Sequence, residues 1–363
     1  MKVLALGLAW GLVFAAGVPA LAAEPALPRD LGLCADEQAK LAPFNGVIAA
    51  GMGSVRFESA VGFADAGGQV PLARSTPFRL ASVGKLFTQV AIGLLADAGK
   101  LKLDDPVRRH LPELPASFEA ITIAQLLQHR AGVAPMTRPA LADAPVMAAA
   151  TRARELVPLI AAKPLSFEPG SQTQYSNGGY LLLGAVIEAA SGQPYREFVT
   201  QQIFVPLGMK SSGFEPGAAA AVPMTRLTGP GQPPAAQPQP RIEFAALKAS
   251  SAGDALSSAA DMEIFAGALL GDRFLTVATK AALFPVRAQT WRAGQAGGSA
   301  GSNTGFWVFL DRGAWLVVLS NFDPPAGEWM GKTLSAVLAG EPCQPTAPQA
   351  LSPPRHRADI SRP

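Results

Sequence analysis

Strand-like segments lie at the two ends of this chain and helical ones fill the middle, so a sheet here must be closed by residues far apart in sequence. Residues 46–51 (GVIAAG) and 54–62 (SVRFESAVG) read as two strands around a tight glycine turn, with Val55, Phe57 and Val61 on one face of the second. Residues 305–320 (GFWVFLDRGAWLVVLS) read as two apolar strands around Asp311-Arg312-Gly313. Helical periods run from Ser82 to about Gly99, over 122–129 with Thr122 as cap, and over 151–162, 180–191 and 198–207. Two more cover Asp261 to Leu270 and Trp329 to Leu338, while 229–240 (GPGQPPAAQPQP) is expected to form an exposed loop that is neither helix nor strand. The order predicts an α+β fold: an antiparallel sheet flanked by helices, built from 34–100 and 250–345, with an all-helical lobe, 101–249, inserted.

Composition narrows the class of partner. Of 363 residues 49% are hydrophobic and 16% charged, enough for a large core, and a net charge of +3 without a Lys/Arg block excludes a nucleic-acid-binding chain. Residues 1–22 have the layout of a signal peptide: Lys2, an apolar run from Val3 to Val18, and Ala20-Leu21-Ala22 as cleavage site. The alternative is a membrane anchor, for which the run is short, and no second run of that kind follows. A periplasmic or secreted protein with no stable membrane insertion after cleavage is therefore expected. In that oxidising setting Cys34 and Cys343 are expected to bridge, the alternative being two unrelated thiols. Leu33 before Cys34 is too large for lipoprotein processing, and 346–363, rich in proline and basic residues, reads as a disordered tail.

Chemistry is concentrated at RLASVGK, residues 79–85. Ser82 is the only serine with a lysine three positions later, and on a helical turn the two side chains share a face. A serine hydroxyl needs a neighbouring base to become a nucleophile, and a desolvated lysine can be that base. An N-cap serine with a surface lysine is the plain alternative. Tyr175 and Asn177, in QTQYSN before a helix, could relay a proton and orient the lysine or a substrate carbonyl; alone they would be turn residues.

Taken together, FRLASVGKLFTQVAIGLLADAGKLKLDDPVRRHLPE, ITIAQLLQHRAGV, FEPGSQTQYSNGGYLLLGAVIEAASG, SSAGDALSSAADMEIFAGALL and the hairpin ending VVLSNFD resemble the serine β-lactamase and penicillin-binding-protein-like superfamily. The similarity is to its branch of class C β-lactamases, esterases and D-Ala-D-Ala carboxypeptidases, and covers most of residues 45–340. It implies a β-lactamase/transpeptidase-like fold, no cofactor, and a small ester, amide or cell-wall peptide as substrate. By the same resemblance Ser82 is the acyl-accepting nucleophile, Lys85 its base or proton relay, Tyr175 a partner in acid/base work, and Asn177 a ligand of Lys85 and of the substrate. The N–H groups of Ser82 and Gly298 would form the oxyanion hole.

The third motif of that superfamily, a cation then a small residue then glycine, departs here. AGQAGGSAGSNTGF puts Gln295 at the cationic position, followed by Ala296 and Gly297. A charge-assisted hydrogen bond is roughly twice as strong as a neutral one, so the change argues against substrates whose carboxylate that cation would pair with. Arg292, an odd number of residues away, should face the other side of the strand. His129 is expected to make a structural hydrogen bond, Trp291, Trp307 and Trp315 to be core or cleft-wall aromatics, and His110 and His356 lack metal-ligand spacing. Gly84 weakens its helical turn slightly. A serine hydrolase is the leading reading; a β-lactamase or carboxypeptidase, and a non-catalytic binding protein on the same scaffold, are the alternatives.

Overall fold

A computed structural model describes residues 26–136, 146, 149–217, 219–225, 239–240, 249–286 and 292–345. The signal segment, the tail from 346, Trp291 and His356 lie outside the described residues, as does most of the 229–240 loop.

Five strands form one antiparallel sheet: β1 (Gly46–Met52), β2 (Val55–Val61), β3 (Arg292–Ser299), β4 (Ser302–Phe309) and β5 (Ala314–Ser320). Their order is β2-β1-β5-β4-β3, so the two hairpins read from the sequence meet where β1 pairs with β5, from Gly46 opposite Ser320 to Met52 opposite Ala314. Strand β5 is buried on both faces, whereas edge strand β2 alternates partly buried with exposed residues until Ala60 and Val61, both exposed.

Alternation sorts the sheet into two cores. Ile48, Ala50, Leu316 and Val318 face α1 (Ala26–Leu41) and the last helix, Ala326–Leu338. Val47, Ala49, Val317, Leu319, Phe306 and Ala293 face the other way, into an apolar cluster that continues through α2 (Lys85–Asp97) to the helices of the middle of the chain. Those include α3 (Ile123–Leu127) and α4 (Asn177–Ser191), with α5 (Ala259–Leu270) and α6 (Val277–Leu283) further on. Helix α2 is apolar on nearly every side, the mark of a helix enclosed by its neighbours: Phe87 alone meets Phe204 and Phe265 edge-on, each with centroids 4.9 Å apart.

Three local readings change. Gln239–Pro240 pairs with Met224–Thr225, so the end of the expected loop is a short strand; a proline is tolerated on such an edge, where no partner needs its missing N–H. Helix α4 begins three residues before 180, because Ser176 caps it by accepting from Gly179 N–H at 3.0 Å, while Gly178-Gly179 looks like a turn in sequence. Helix α1 has no sequence counterpart above. Its buried stripe is Leu31, Cys34, Ala35 and Gln38, and a cysteine and a glutamine disguise the period; Gln38 accepts from Thr333 Oγ1 at 2.8 Å inside the core.

Cys34 and Cys343 are bridged, their Cα atoms 5.7 Å apart, tying α1 to the segment after the last helix across 309 residues. Closing so long a loop in the unfolded chain contributes up to about 5 to 6 kcal/mol in the chain-entropy model. Paired Cys34→Ser and Cys343→Ser substitutions are expected to lower the denaturant midpoint by an amount that reduction of the parent also produces. Equal midpoints with and without reductant would refute the contribution.

Candidate active site

Ser82 lies in a 3₁₀ turn, Ala81–Gly84, that runs straight into α2. The residue before it is strained: Ala81 has φ +45°, a left-handed value that costs a non-glycine residue on the order of 1 kcal/mol or more. The sheet holds it there. Thr304 Oγ1 donates to Leu80 O at 2.6 Å, Ser302 Oγ to Arg79 O at 2.6 Å, and Leu80 N–H to Ala255 O at 2.9 Å. Gly84 also has a reason to be glycine, since a Cβ there would stand 3.2 Å from Gly253 Cα in the 250–255 loop.

One helical turn on, Lys85 is wholly enclosed, with 0% exposure. Its Nζ reaches Ser82 Oγ at 3.2 Å, Asn177 Oδ1 at 2.8 Å and the carbonyl of Ala252 at closer range. As an ammonium it donates to all three. As a neutral amine donating to Asn177 and Ala252 it would turn its lone pair to the serine hydroxyl, the arrangement a general base needs. Tyr175 OH is 2.7 Å from Ser82 Oγ, and this side chain is 44% exposed, so the hydroxyl pair faces the cleft while the lysine is hidden behind it.

The Tyr175-Ser176-Asn177 corner is fastened by the stretch after α3. His129 accepts the Ser176 N–H at Nδ1 (3.1 Å) and the Gln174 N–H at its carbonyl (2.9 Å); Ser176 Oγ donates to Ala134 O (2.8 Å), and Asn177 N–H to Pro135 O (2.9 Å). Accepting at Nδ1 leaves the imidazole neutral with its proton on Nε2. Its ring lies between Tyr175 and Tyr180, with centroids 4.6 and 5.0 Å away, and Lys85 Nζ stands 4.9 and 5.4 Å from those two tyrosine rings.

Tyr180 was not visible as a site residue in the sequence, where it is one aromatic of an apolar helix. Its hydroxyl accepts from Gln89 Nε2 at 2.5 Å and donates to Leu127 O at 3.1 Å. Burial raises its phenol far above the ordinary value, so it stays protonated and serves as a wall. The Ala252 carbonyl was equally invisible, because a backbone acceptor leaves no residue signature.

Across the cleft, β3 brings Gly297 against Ser82: a Cβ there would come within 2.9 Å of Ser82 N and would collide with the carbonyl of Leu80. Gly298, next on the strand, is exposed, and a Cβ there would meet Pro324 and Asn303. Gln295, two residues before Gly297 and on its face, donates from Nε2 to Ala296 O at 2.9 Å. Arg292 has the opposite parity and is exposed, yet it lines the same cavity as Gln295 beside the cleft. His110 is away from the site, 3.1 Å from Asp105, Trp315 is buried in the core and Trp307 packs against the outer layer. Among the described residues no cluster of His, Cys, Asp and Glu suits a metal.

The Beta-lactamase family model matches residues 41–341, and the chain belongs to that family. Penicillin-binding protein 4* of Bacillus subtilis (strain 168) is 36% identical over 172 residues, 47% of this chain but 38% of that protein, so the match spans well under half of the relative's length. Among solved structures, a penicillin binding protein from Bacillus halodurans has a TM-score of 0.71 at 24% identity, covering 85% of this chain and 98% of the other. D-amino acid amidase from Ochrobactrum anthropi SV3 has a TM-score of 0.68 at 24% identity, covering 82% and 92%. At such identities these structures establish the shared fold.

Tyr195, whose hydroxyl lies 2.8 Å from Thr88 Oγ1, is also wholly buried and has its phenol raised by that burial. The unfolded chain loses both phenolic protons near the ordinary value of 10.0, while the folded chain keeps them. Their contribution is complete below that pH and falls as the pH rises above it, by up to about 1.4 kcal/mol per pH unit for each. Unfolding measured from pH 9 to 11 should show a shallower loss in Tyr195→Phe than in the parent; identical slopes would contradict this.

Proposed function

We propose that this Beta-lactamase family member is an exported serine hydrolase that works through an acyl-Ser82 intermediate on an ester or amide. The observation that carries the reading is the convergence of Tyr175 OH and Lys85 Nζ on Ser82 Oγ, at 2.7 and 3.2 Å. As Ser82 Oγ attacks the substrate carbonyl, its proton passes to Lys85 or Tyr175, and the oxyanion is met by the N–H groups of Ser82 and Gly298. Collapse expels the alcohol or amine, which takes a proton from the same pair. Water then attacks the acyl-enzyme, giving up a proton to that pair, and Ser82 recovers its own when the acid leaves. Asn177 keeps Lys85 aimed throughout.

Gln295 supports substrates without a carboxylate beside the scissile bond, because a neutral amide stands where a cation would have paired with it. That favours simple esters and amides over β-lactams or D-Ala-D-Ala peptides, and amide hydrolysis is the named activity of the Ochrobactrum anthropi protein of like fold. The signal pattern of residues 1–22 and the Cys34–Cys343 bridge support export to the periplasm or medium.

Intact-mass measurement with a fluorophosphonate should show one adduct on the parent and none on Ser82→Ala. Lys85→Met is expected to slow adduct formation by about 10² to 10⁴-fold. Neutral p-nitrophenyl esters should then be turned over faster than nitrocefin; the reverse order would favour a β-lactamase. A folded parent that takes up no label would overturn the hydrolase reading and leave a binding protein on this scaffold.

A further inference from the structure

One turn beyond Lys85, α2 carries a buried hydroxyl that takes no part in the steps above. Thr88 follows Lys85 by three residues, so the two side chains share a helix face, and it is wholly buried. A threonine inside a helix ordinarily returns its hydroxyl to a carbonyl of its own helix. Thr88 Oγ1 instead donates to Ser251 O at 2.7 Å, in the loop whose next residue, Ala252, supplies the carbonyl that Lys85 Nζ meets. With that proton committed, the 2.8 Å contact to Tyr195 OH has one direction: the phenol donates and Thr88 accepts. Burial raises that phenol, which keeps its proton.

Consecutive carbonyls of the loop, at 251 and 252, are therefore held by two polar residues of one helix face. Further contacts leave the loop little freedom. Ser251 Oγ donates to Tyr180 O at 2.9 Å, and a Cβ at Gly184 of α4 would collide with that Oγ. A Cβ at Gly253 would stand 2.7 Å from Ala81 O, just before Ser82. Tyr195 is anchored in turn. Its N–H donates to Glu188 Oε1 at 3.1 Å, and the buried Glu188 carboxylate also accepts from the N–H groups of Ala153 and Arg154, each at 3.0 Å. The run from Tyr195 through Thr88 ends on a carbonyl, so no proton passes along it to Lys85.

We propose that Thr88, backed by Tyr195, is a positioning residue for Lys85: by fixing Ser251 O it holds the next carbonyl, that of Ala252, against Nζ. The proposal rests on the hydrolase reading, in which Lys85 acts on Ser82, and names what sets that amine. An acceptor fixed against an ammonium favours the charged form, so a looser Ala252 carbonyl weakens the proton affinity of Lys85. The other titratable groups nearby are Tyr175 and Tyr180, whose rings face Nζ, His129 between those rings, and Arg196 and Asp254, which act on Tyr195. Changing Thr88 removes none of them, so a changed titration reports the carbonyl.

The test titrates Lys85 by its side-chain nitrogen NMR signal on Ser82→Ala, which removes turnover. Thr88→Val keeps the shape and drops the hydroxyl. The proton affinity of Lys85 should then fall about tenfold, the scale of one weakened hydrogen bond to a charged group. Thr88→Ser should restore the value of Ser82→Ala alone, and Tyr195→Phe should move it the same way by less. An unmoved titration in Thr88→Val, or a Thr88→Ser that behaves like Thr88→Val, would overturn the proposal. If Thr88→Val does not fold, Tyr195→Phe decides alone, with an unmoved titration as the refuting result. Fluorophosphonate labelling of the parent is a separate readout: its failure would remove the hydrolase reading, while the Lys85 titration still decided the role of Thr88.

Discussion

The enclosed amine of Lys85 is the constraint around which the rest is arranged. Removing an ammonium from water costs many kcal/mol unless its hydrogen bonds are replaced, and here the acceptors come from three separate places. Ser82 stands on the same turn, Asn177 begins α4, and Ala252 belongs to the loop that leads into α5. Satisfying one nitrogen therefore requires α2, α4 and the 250–255 loop to meet at one point. Glycines at 84 and 253 let the loop come close enough.

The second organising element is the clamp on the chain just before Ser82. Strand β4 and Ala255 fix Arg79 and Leu80 by their backbone groups, and that fixation sustains the left-handed Ala81. Strand β3 then sets Gly297 against Ser82 N from the other side. A sheet drawn from both ends of the chain is thus what aims the serine, and the bridge between Cys34 and Cys343 ties together the outer layer that backs this sheet. Energy stored at Ala81 is small beside the burial that surrounds it, so the strain persists without endangering the fold.

The two sides of the cleft divide the work. The helical side supplies Lys85 and the Tyr175–Asn177 corner, held by His129 and by capping at Ser176. The sheet edge supplies Gly297 against Ser82 N and, two residues before it, Gln295. Gln295 lies on the sheet side, apart from the contacts among Ser82, Lys85 and Tyr175.

Much of this was legible in the chain itself. Ser82 and Lys85 are read from residue types at short spacing, and the strands of both hairpins and Thr122's cap from local periods, because local geometry decides which side chains share a turn; Tyr175 and Asn177 are singled out only by the resemblance to a family. What sequence did not determine is whatever depends on backbone atoms, on burial or on meeting across the fold. The acceptor carbonyl of Ala252 has no side chain to betray it. Tyr180 looks like any apolar-helix aromatic until Lys85 is brought beneath its ring. Helix α1 hides its stripe behind Cys34 and Gln38, which become core residues only once Thr333 and Cys343 arrive from the other end. Arg292 is assigned by parity to the far face, and its cross-strand partner Phe309 does belong to the outer cluster; which helices meet the edge of that strand is decided only by the packing of α2, α6 and the segment around His129, because those contacts join residues far apart in the chain.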